Sequence, residues 1–389
     1  MKSLDQVNTR CTKSWGIAKF MDAKKDFRNH VTLLDVAKAS GFAVSTVSIV
    51  LNNAPLSQNV AASTRKHIRE VAQSLGYHPD AFARSLRRNR SQMIGVITYD
   101  LSDPFCISII HGIENHLQSQ GYLPQFMDSR SQRSLFEVHL RMALERRAEG
   151  IIVIASWVFD ENSLLADVEK NHVPVVVVGR DMTARRISSV LVDNVAGGYL
   201  AFQHLHQLGH RKIAVIRGPE ELFDSQPRWE GVLRYAAEAH VKLHPALVCQ
   251  LPGQVNPYSA YDNGILLTKR LLATKQEFSA VLAFDDLTAL GVIRGLHQSG
   301  LRVPEDCSVI GFDDVFPVAV SIPSVTTVRQ SMLQIGETAA KCVFEALKAK
   351  DAGKESPVRA HTYSPTLITR ESTAPYRLKK GSQGAKGRP

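Results

Sequence analysis

Three hydroxyl side chains, Ser45, Thr46 and Ser48, lie close together in the stretch VTLLDVAKASGFAVSTVSIVLNN at 31–53. A hydroxyl both donates and accepts, so a set on one helix face can reach base edges or phosphate oxygens. Val44 and Ile49 flank them, and an apolar side chain there can pack on a thymine methyl. No other grouping suits covalent or metal chemistry. The five cysteines (Cys11, Cys106, Cys249, Cys307, Cys342) are scattered without a CxxC pair, which reads as reduced thiols and no metal site. There is no P-loop, no GxGxxG after the first apolar run, no GxSxG elbow and no HExxH. Neither a catalytic residue nor a cofactor is therefore expected.

The elements around the hydroxyls have the pattern of a helix-turn-helix. Thr32 is the candidate N-cap, with Asp35 as an acidic variant of a capping box. Leu33, Val36 and Ala37 form an apolar stripe, and Gly41 is the stop, since glycine most easily takes φ > 0. A second stripe, Val44, Val47, Val50 and Leu51, follows at once. Two short helices about a tight turn fit a reading helix in a major groove. Residues 63–76 predict a third helix, capped by Ser63 or Thr64 and stopped at Gly76.

Charge supports a nucleic-acid partner. The 389-residue chain has net charge +10, with 15 Lys/Arg against 6 Asp/Glu in residues 1–90 and 5 Lys/Arg with no acid in 377–389. The body between is mildly acidic, so the basic footprint is confined to the ends. No run approaches the roughly 20 apolar residues of a membrane span. Lysines and Arg28 interrupt the N-terminus where a signal peptide would be apolar, so a cytoplasmic location and no membrane are expected.

From Ser91 the texture changes. Strand candidates are 94–98, 150–155, 173–178, 213–216, 280–284 and 308–311. Helical stretches between them cover 107–120, 134–148, 196–208, 228–239, 261–273, 286–299 and 332–349. Continuous apolar strands alternating with helices predict parallel sheets covered on both faces. Their number exceeds one sheet, giving two α/β lobes with a ligand cleft at the strand ends.

The order of these parts resembles the lac-repressor (LacI/GalR) family of bacterial transcription regulators. The motifs carrying the likeness are VTLLDVAKASG, TVSIVLNN, GYHPDAFARSLR at 76–87, MIGVI, DPF at 103–105, VDN at 192–194, LGHRKIAVIRGP, FDDLTALG at 284–291, GLRVPEDCSVIGFDD, PSVTTVRQ and LITREST. The resemblance implies a flexible arm (1–30), a helix-turn-helix domain (31–79) and a hinge helix or linker (80–90). A two-lobed effector and dimerisation domain (91–373), like periplasmic binding proteins, and a disordered basic tail (374–389) follow.

It further implies a homodimeric repressor that binds double-stranded operator DNA and responds to a small molecule, a sugar or related metabolite. DNA-contacting candidates are Thr32, Val44, Ser45, Thr46, Ser48, Ile49 and Asn52. In the hinge they are Ala83, Arg84, Leu86 and Arg87, with Leu86 as a minor-groove wedge. Many members carry Arg where Ile49 stands, so a different operator is expected. Effector candidates are Phe105, Arg228, Asp285 and Asp313, with Trp157 and Arg180 at other strand exits. Asp286 is read as a helix cap. The alternative is a small-molecule-binding protein that has lost specific operator recognition.

Overall fold

The computed structural model describes residues 31–78, 90–154, 172–253 and 257–377. Ala83, Arg84, Leu86, Arg87 and Trp157 lie outside the described residues. The chain divides into two compact units, 1–90 and 91–389.

In the first unit α1 (Leu33–Ser40) and α2 (Val44–Leu51) meet at 110°. The turn between them is made by Gly41 at φ 75°, whose N–H donates to the Ala37 carbonyl at 3.0 Å. That is the helix-turn-helix geometry. Thr32 and Asp35 form the reciprocal capping box. The third helix, α3, runs over Ala62–Ser74. Its N-cap is Ala61, with no side-chain cap bond, rather than Ser63 or Thr64. The polar residues fall inside the first turn because the helix begins earlier than its hydroxyls suggest. Val36, Val47, Val50 and Ile68 are fully buried and tie the three helices together.

The second unit contains two six-stranded sheets. Its elements in chain order begin with β1 (Met93–Thr98), α4 (Pro104–Ser119), β2 (Leu123–Asp128), α5 (Arg133–Glu145), β3 (Gly150–Ile154), β4 (Val175–Val178) and β5 (Ser188–Val192). There follow α6 (Asn194–Gln207), β6 (Ile213–Arg217), α7 (Ser225–Glu238), β7 (Val248–Gln250), α8 (Pro257–Ala273), β8 (Ala280–Leu282), α9 (Asp286–Gln298) and β9 (Ser308–Asp313). The last are α10 (Phe316–Val320), β10 (Thr326–Arg329), α11 (Met332–Asp351), β11 (Ala360–Tyr363) and β12 (Thr366–Ile368).

The first lobe's sheet has the order β11-β5-β4-β3-β1-β2, parallel throughout. The second has β12-β10-β9-β8-β6-β7, with only the edge strand β12 antiparallel. Alternation at period two splits each strand between two faces. In β3, Ile152 and Ile154 pack towards α4 and α11, while Ile151 and Val153 pack towards α5. In β6, Ala214 and Ile216 face α8 and α9, and Ile213 and Val215 face α6 and α7.

Strands β2, β5, β7, β10, β11 and β12 carry no strong apolar run, which hides them in the sequence. β2 reads LPQFMD on a sheet edge, where one side meets solvent and proline is tolerated. The chain passes between the lobes after β5, after β10 and after β11. Two of these passages are stitched together where Asp193 N–H donates to the Tyr363 carbonyl at 2.9 Å. The expected disorder from 374 is corrected at its start. Ala374 accepts from His210 and Tyr376 N–H donates to the Leu208 carbonyl at 2.8 Å.

Candidate effector cleft and DNA-reading helix

On α2, Val44, Ser48 and Asn52 stand four residues apart, with Ser45 and Ile49 on the adjoining row. Val44 is 41% exposed and Ser45 is exposed. Thr46, Ser48, Ile49 and Asn52 are half-buried, and Ile49 is absent from the buried cluster. The buried stripe Val47 and Val50 already fills the inner face. The Asn52 amide donates to the Ser48 carbonyl at 2.8 Å, closing the helix end. Thr32, exposed, is engaged in the capping box. The loop after α2 is not slack: it folds into a 3-10 turn (Pro55–Asn59) and is pinned by Arg69 Nη2 donating to Asn53 Oδ1 at 3.0 Å.

In the second unit, strands of both sheets end at one cavity of about 550 Å³. Its wall includes Phe105, Arg228, Asp285 and Asp313, brought together from four separate places in the sequence. Arg180 is not in the wall; its guanidinium stacks on the Phe223 ring, 3.9 Å from the centroid. That contact links a loop of the first lobe to one of the second, so Arg180 acts across the lobes rather than inside the cavity.

Arg228 rises from the first turn of α7 and lies between two rings, 3.7 Å from the Phe312 centroid and 4.5 Å from that of Phe284. Its Nε donates to Asn194 Oδ1 at 2.9 Å, Nη1 to the Phe284 carbonyl at 2.8 Å and Nη2 to Asp224 Oδ2 at 2.8 Å. Asp313 Oδ1 is 3.6 Å from Nη2. A planar fork with every nitrogen held is pre-organised and cannot swing away when a ligand enters.

Asp313 has φ 109° and Asp314 φ 63°, conformations unfavourable for residues with a Cβ. Arg329 and Arg370 hold Asp314 by ion pairs, and Gln330 donates to Asp313. These contacts fix the strained corner that turns the Asp313 carboxylate into the cavity wall.

Asp285 is the N-cap of α9, accepting from Thr288 N–H at 2.6 Å. The expected cap, Asp286, is instead the first helical residue and is buried. It accepts from Val315 N–H at 2.9 Å and Thr327 Oγ1 at 2.6 Å. Burial pushes its carboxyl up to about 8. Burial also raises Asp285 and drives Asp313 well above the usual range, against the pull of Arg228.

Two wall residues are not apparent from the sequence. Asp103 caps α4, accepting from Phe105 N–H at 3.0 Å and from the Tyr99 hydroxyl. Burial raises it to about 6. Asp224 pairs with Arg228, and the i, i+4 spacing of the two on α7's leading edge is the available signal.

Comparison with known proteins agrees with both parts. Residues 32–80 match the family described as bacterial regulatory proteins, lacI family, and residues 202–373 a periplasmic binding protein-like domain. The HTH-type transcriptional repressor PurR of Haemophilus influenzae (strain PittEE) is 34% identical over 343 residues, 88% of this chain and 98% of that protein. PurR of Aliivibrio fischeri (strain MJ11) is 32% identical over 342 residues, with coverage of 88% and 98%. The lac repressor dimer bound to operator and the anti-inducer ONPF is similar with a TM-score of 0.73 and 26% identity, covering 89% of this chain and 100% of that one. The transcriptional regulator CelR in complex with cellobiose gives a TM-score of 0.64 at 26% identity, covering 88% and 99%. Helix-turn-helix, two-lobed body and relatives that span nearly the whole chain lead to one conclusion: this protein belongs to the lacI family, as a DNA-binding transcriptional regulator controlled by a small-molecule effector.

Proposed function

We propose that the chain is a homodimeric repressor whose operator is read by Val44, Ser45, Ser48 and Ile49 and whose effector sits in the cavity walled by Phe105, Arg228, Asp285 and Asp313. The hinge residues Ala83, Arg84, Leu86 and Arg87 complete the DNA-binding set, with Trp157 as a further effector candidate. The effector is a compact polar molecule of sugar size. The observation that carries this reading is the cavity of about 550 Å³, shared by both lobes and holding a fully engaged arginine. Because three chain passages join the lobes, ligand contacts to both would bias their relative angle, and with it the affinity for DNA.

A second copy is supported by an apolar patch on the second lobe, where Phe316, Val320 and Ile322 are 77%, 61% and 96% exposed. Clustered exposure of this kind marks an interaction surface.

The test is selection of bound genomic fragments, followed by release assays with a metabolite panel. One short sequence should be enriched and at least one metabolite should change its affinity. Arg228→Lys should keep the enriched sequence and lose the metabolite response, since the compact ammonium of lysine cannot span the acceptors that the three separate guanidinium nitrogens reach. An Arg228→Lys protein that responds as the wild type does would remove the cavity from the reading.

A further inference from the structure

The cavity wall is one-sided in charge. Among the described residues, Asp103, Glu221, Asp224, Asp285, Asp286 and Asp313 line it against one cation, Arg228. Arg228 is already committed to Asp224 and Asp313. Asp286 is satisfied by Val315 and Thr327. That leaves Asp103, Asp285 and the exposed Glu221 without a cationic partner at hydrogen-bond distance among the described residues, the two aspartates being the more buried ones. Asp224 adds a buried oxygen, Oδ1, that has no hydrogen-bond partner among the described residues. A buried acceptor left unpaired is costly, and a donor from a ligand would relieve it.

The placement of these groups matters as much as their number. Asp103 stands at the start of α4 in the first lobe. Asp224 and Asp285 stand at the starts of α7 and α9 in the second. Carboxylates therefore face each other across the cavity. Burial raises Asp103, with Asp285 and Asp100 adding to it; burial likewise raises Asp313, with Asp286, Asp285 and Asp103 adding to it against the pull of Arg228. The other titratable neighbours of Asp103 are Tyr99, which donates to it, and Cys106 on α4. None of these supplies a positive charge. An anionic ligand would be repelled, and a ligand with hydroxyls alone would leave the opposed charges uncompensated.

We propose that the effector of this cleft carries a protonated amine, held between Asp103 of one lobe and Asp224 and Asp285 of the other, on an apolar or polyol body packed against Phe105 and Phe284. The proposal rests on the reading of the cleft as the effector site and names the chemical class that site takes. The amine would close the lobes by bridging charges that otherwise push them apart.

The test is calorimetric titration of the full-length protein with compound pairs differing at one group: glucosamine and glucose, putrescine and 1,4-butanediol, tyramine and its hydroxyethyl analogue. At least one amine should bind, and its hydroxyl partner should bind at least tenfold more weakly. Ionised Asp103 is needed for the cation but carries a proton near pH 6. Amine affinity should therefore rise about fourfold from pH 5.5 to pH 7.5, by proton linkage to one such group. Asp103→Asn should weaken the amine about tenfold, the loss of one charge-assisted contact, and flatten that pH profile. Its melting transition reports that the variant is folded.

Hydroxyl compounds binding while the amines stay silent would overturn the cation and leave the cleft reading standing. Amine binding indifferent to both Asp103→Asn and Asp285→Asn would place the ligand elsewhere and overturn both. Silence from every compound at millimolar concentration would also count against both.

Discussion

Arg228 shows how much of a functional residue a linear pattern carries. Its place in the sequence marks it, but discloses neither the Phe284–Phe312 sandwich nor the three acceptors that fix its fork. Phe105, Asp285 and Asp313 are legible for the same reason, as motif residues next to strand ends. Asp103 is hidden because a residue before proline reads first as a helix cap, and it does cap α4. Its second role comes from burial, which no local pattern encodes. That burial has a consequence for stability. The Asp103 carboxyl is raised from 3.8 to about 6, so the folded state favours the protonated form. The stabilising contribution is full below pH 4 and is lost as pH rises through 6. A shift of this size corresponds to at most ~3 kcal/mol. Urea unfolding of the second unit should show stability declining over that window. Asp103→Asn, permanently neutral, should remove this part of the decline and raise stability at pH 7. An unchanged profile would mean that Asp103 is solvated.

At the scale of elements, the alternation of apolar strands and amphipathic helices is enough to place both sheets, because buried parallel strands must be apolar on both faces. The polar edge strands escape that pattern, since they are held by pairing rather than by their own periodicity. Nor does the sequence disclose how the helices cross. Each of three helix pairs meets through a pair of glycines. A Cβ at Gly112 would lie 2.0 Å from the Leu333 carbonyl oxygen, and one at Gly336 2.0 Å from that of Ile109. At Gly198 and Gly231 the distances are 1.9 Å to the Arg228 oxygen and 2.0 Å to the Val195 oxygen. Gly264 and Gly291 repeat the arrangement between α8 and α9. These are mid-helix positions where glycine costs about 1 kcal/mol relative to alanine, so close backbone approach must outweigh that cost. Gly198 has the most direct functional link, because the backbone it touches is that of Arg228. Gly198→Ala should destabilise the second unit by about 2 kcal/mol or more, the usual penalty for overpacking. It should also weaken effector binding by moving the arginine. Gly353→Ala is a poor control because φ there is 65°. Ala349→Gly, on the outer end of α11, isolates simple propensity loss. Chemical denaturation of both variants, with effector titration of the first, separates crossing from propensity.

For the whole molecule, the basic N-terminal region and the mildly acidic body that precedes the basic tail divide the work: one is attracted to DNA, the other is not. A single headpiece is a small reader. The helix α2 offers two adjoining rows of short side chains and no arginine, so base contacts alone give modest discrimination. Affinity must then come from phosphate neutralisation multiplied by pairing. The apolar patch Phe316, Val320 and Ile322 is where such pairing would be made. Ile322→Asp tests this without touching the core, since Ile322 is 96% exposed. Sedimentation should show the wild type as a dimer and the variant as a monomer at micromolar concentration. The thermal transition should move little, because almost nothing around that side chain is buried. Operator affinity measured against salt then gives the sharper result. For B-DNA the slope of log K against log salt is about −0.9 per neutralised phosphate. A monomer presents one headpiece where a dimer presents two, so the slope should fall to roughly half, together with a large loss of affinity at any one salt concentration. A variant that dissociates yet keeps the full slope would mean that each headpiece binds independently. A variant that remains dimeric would move the interface to another surface of the second unit.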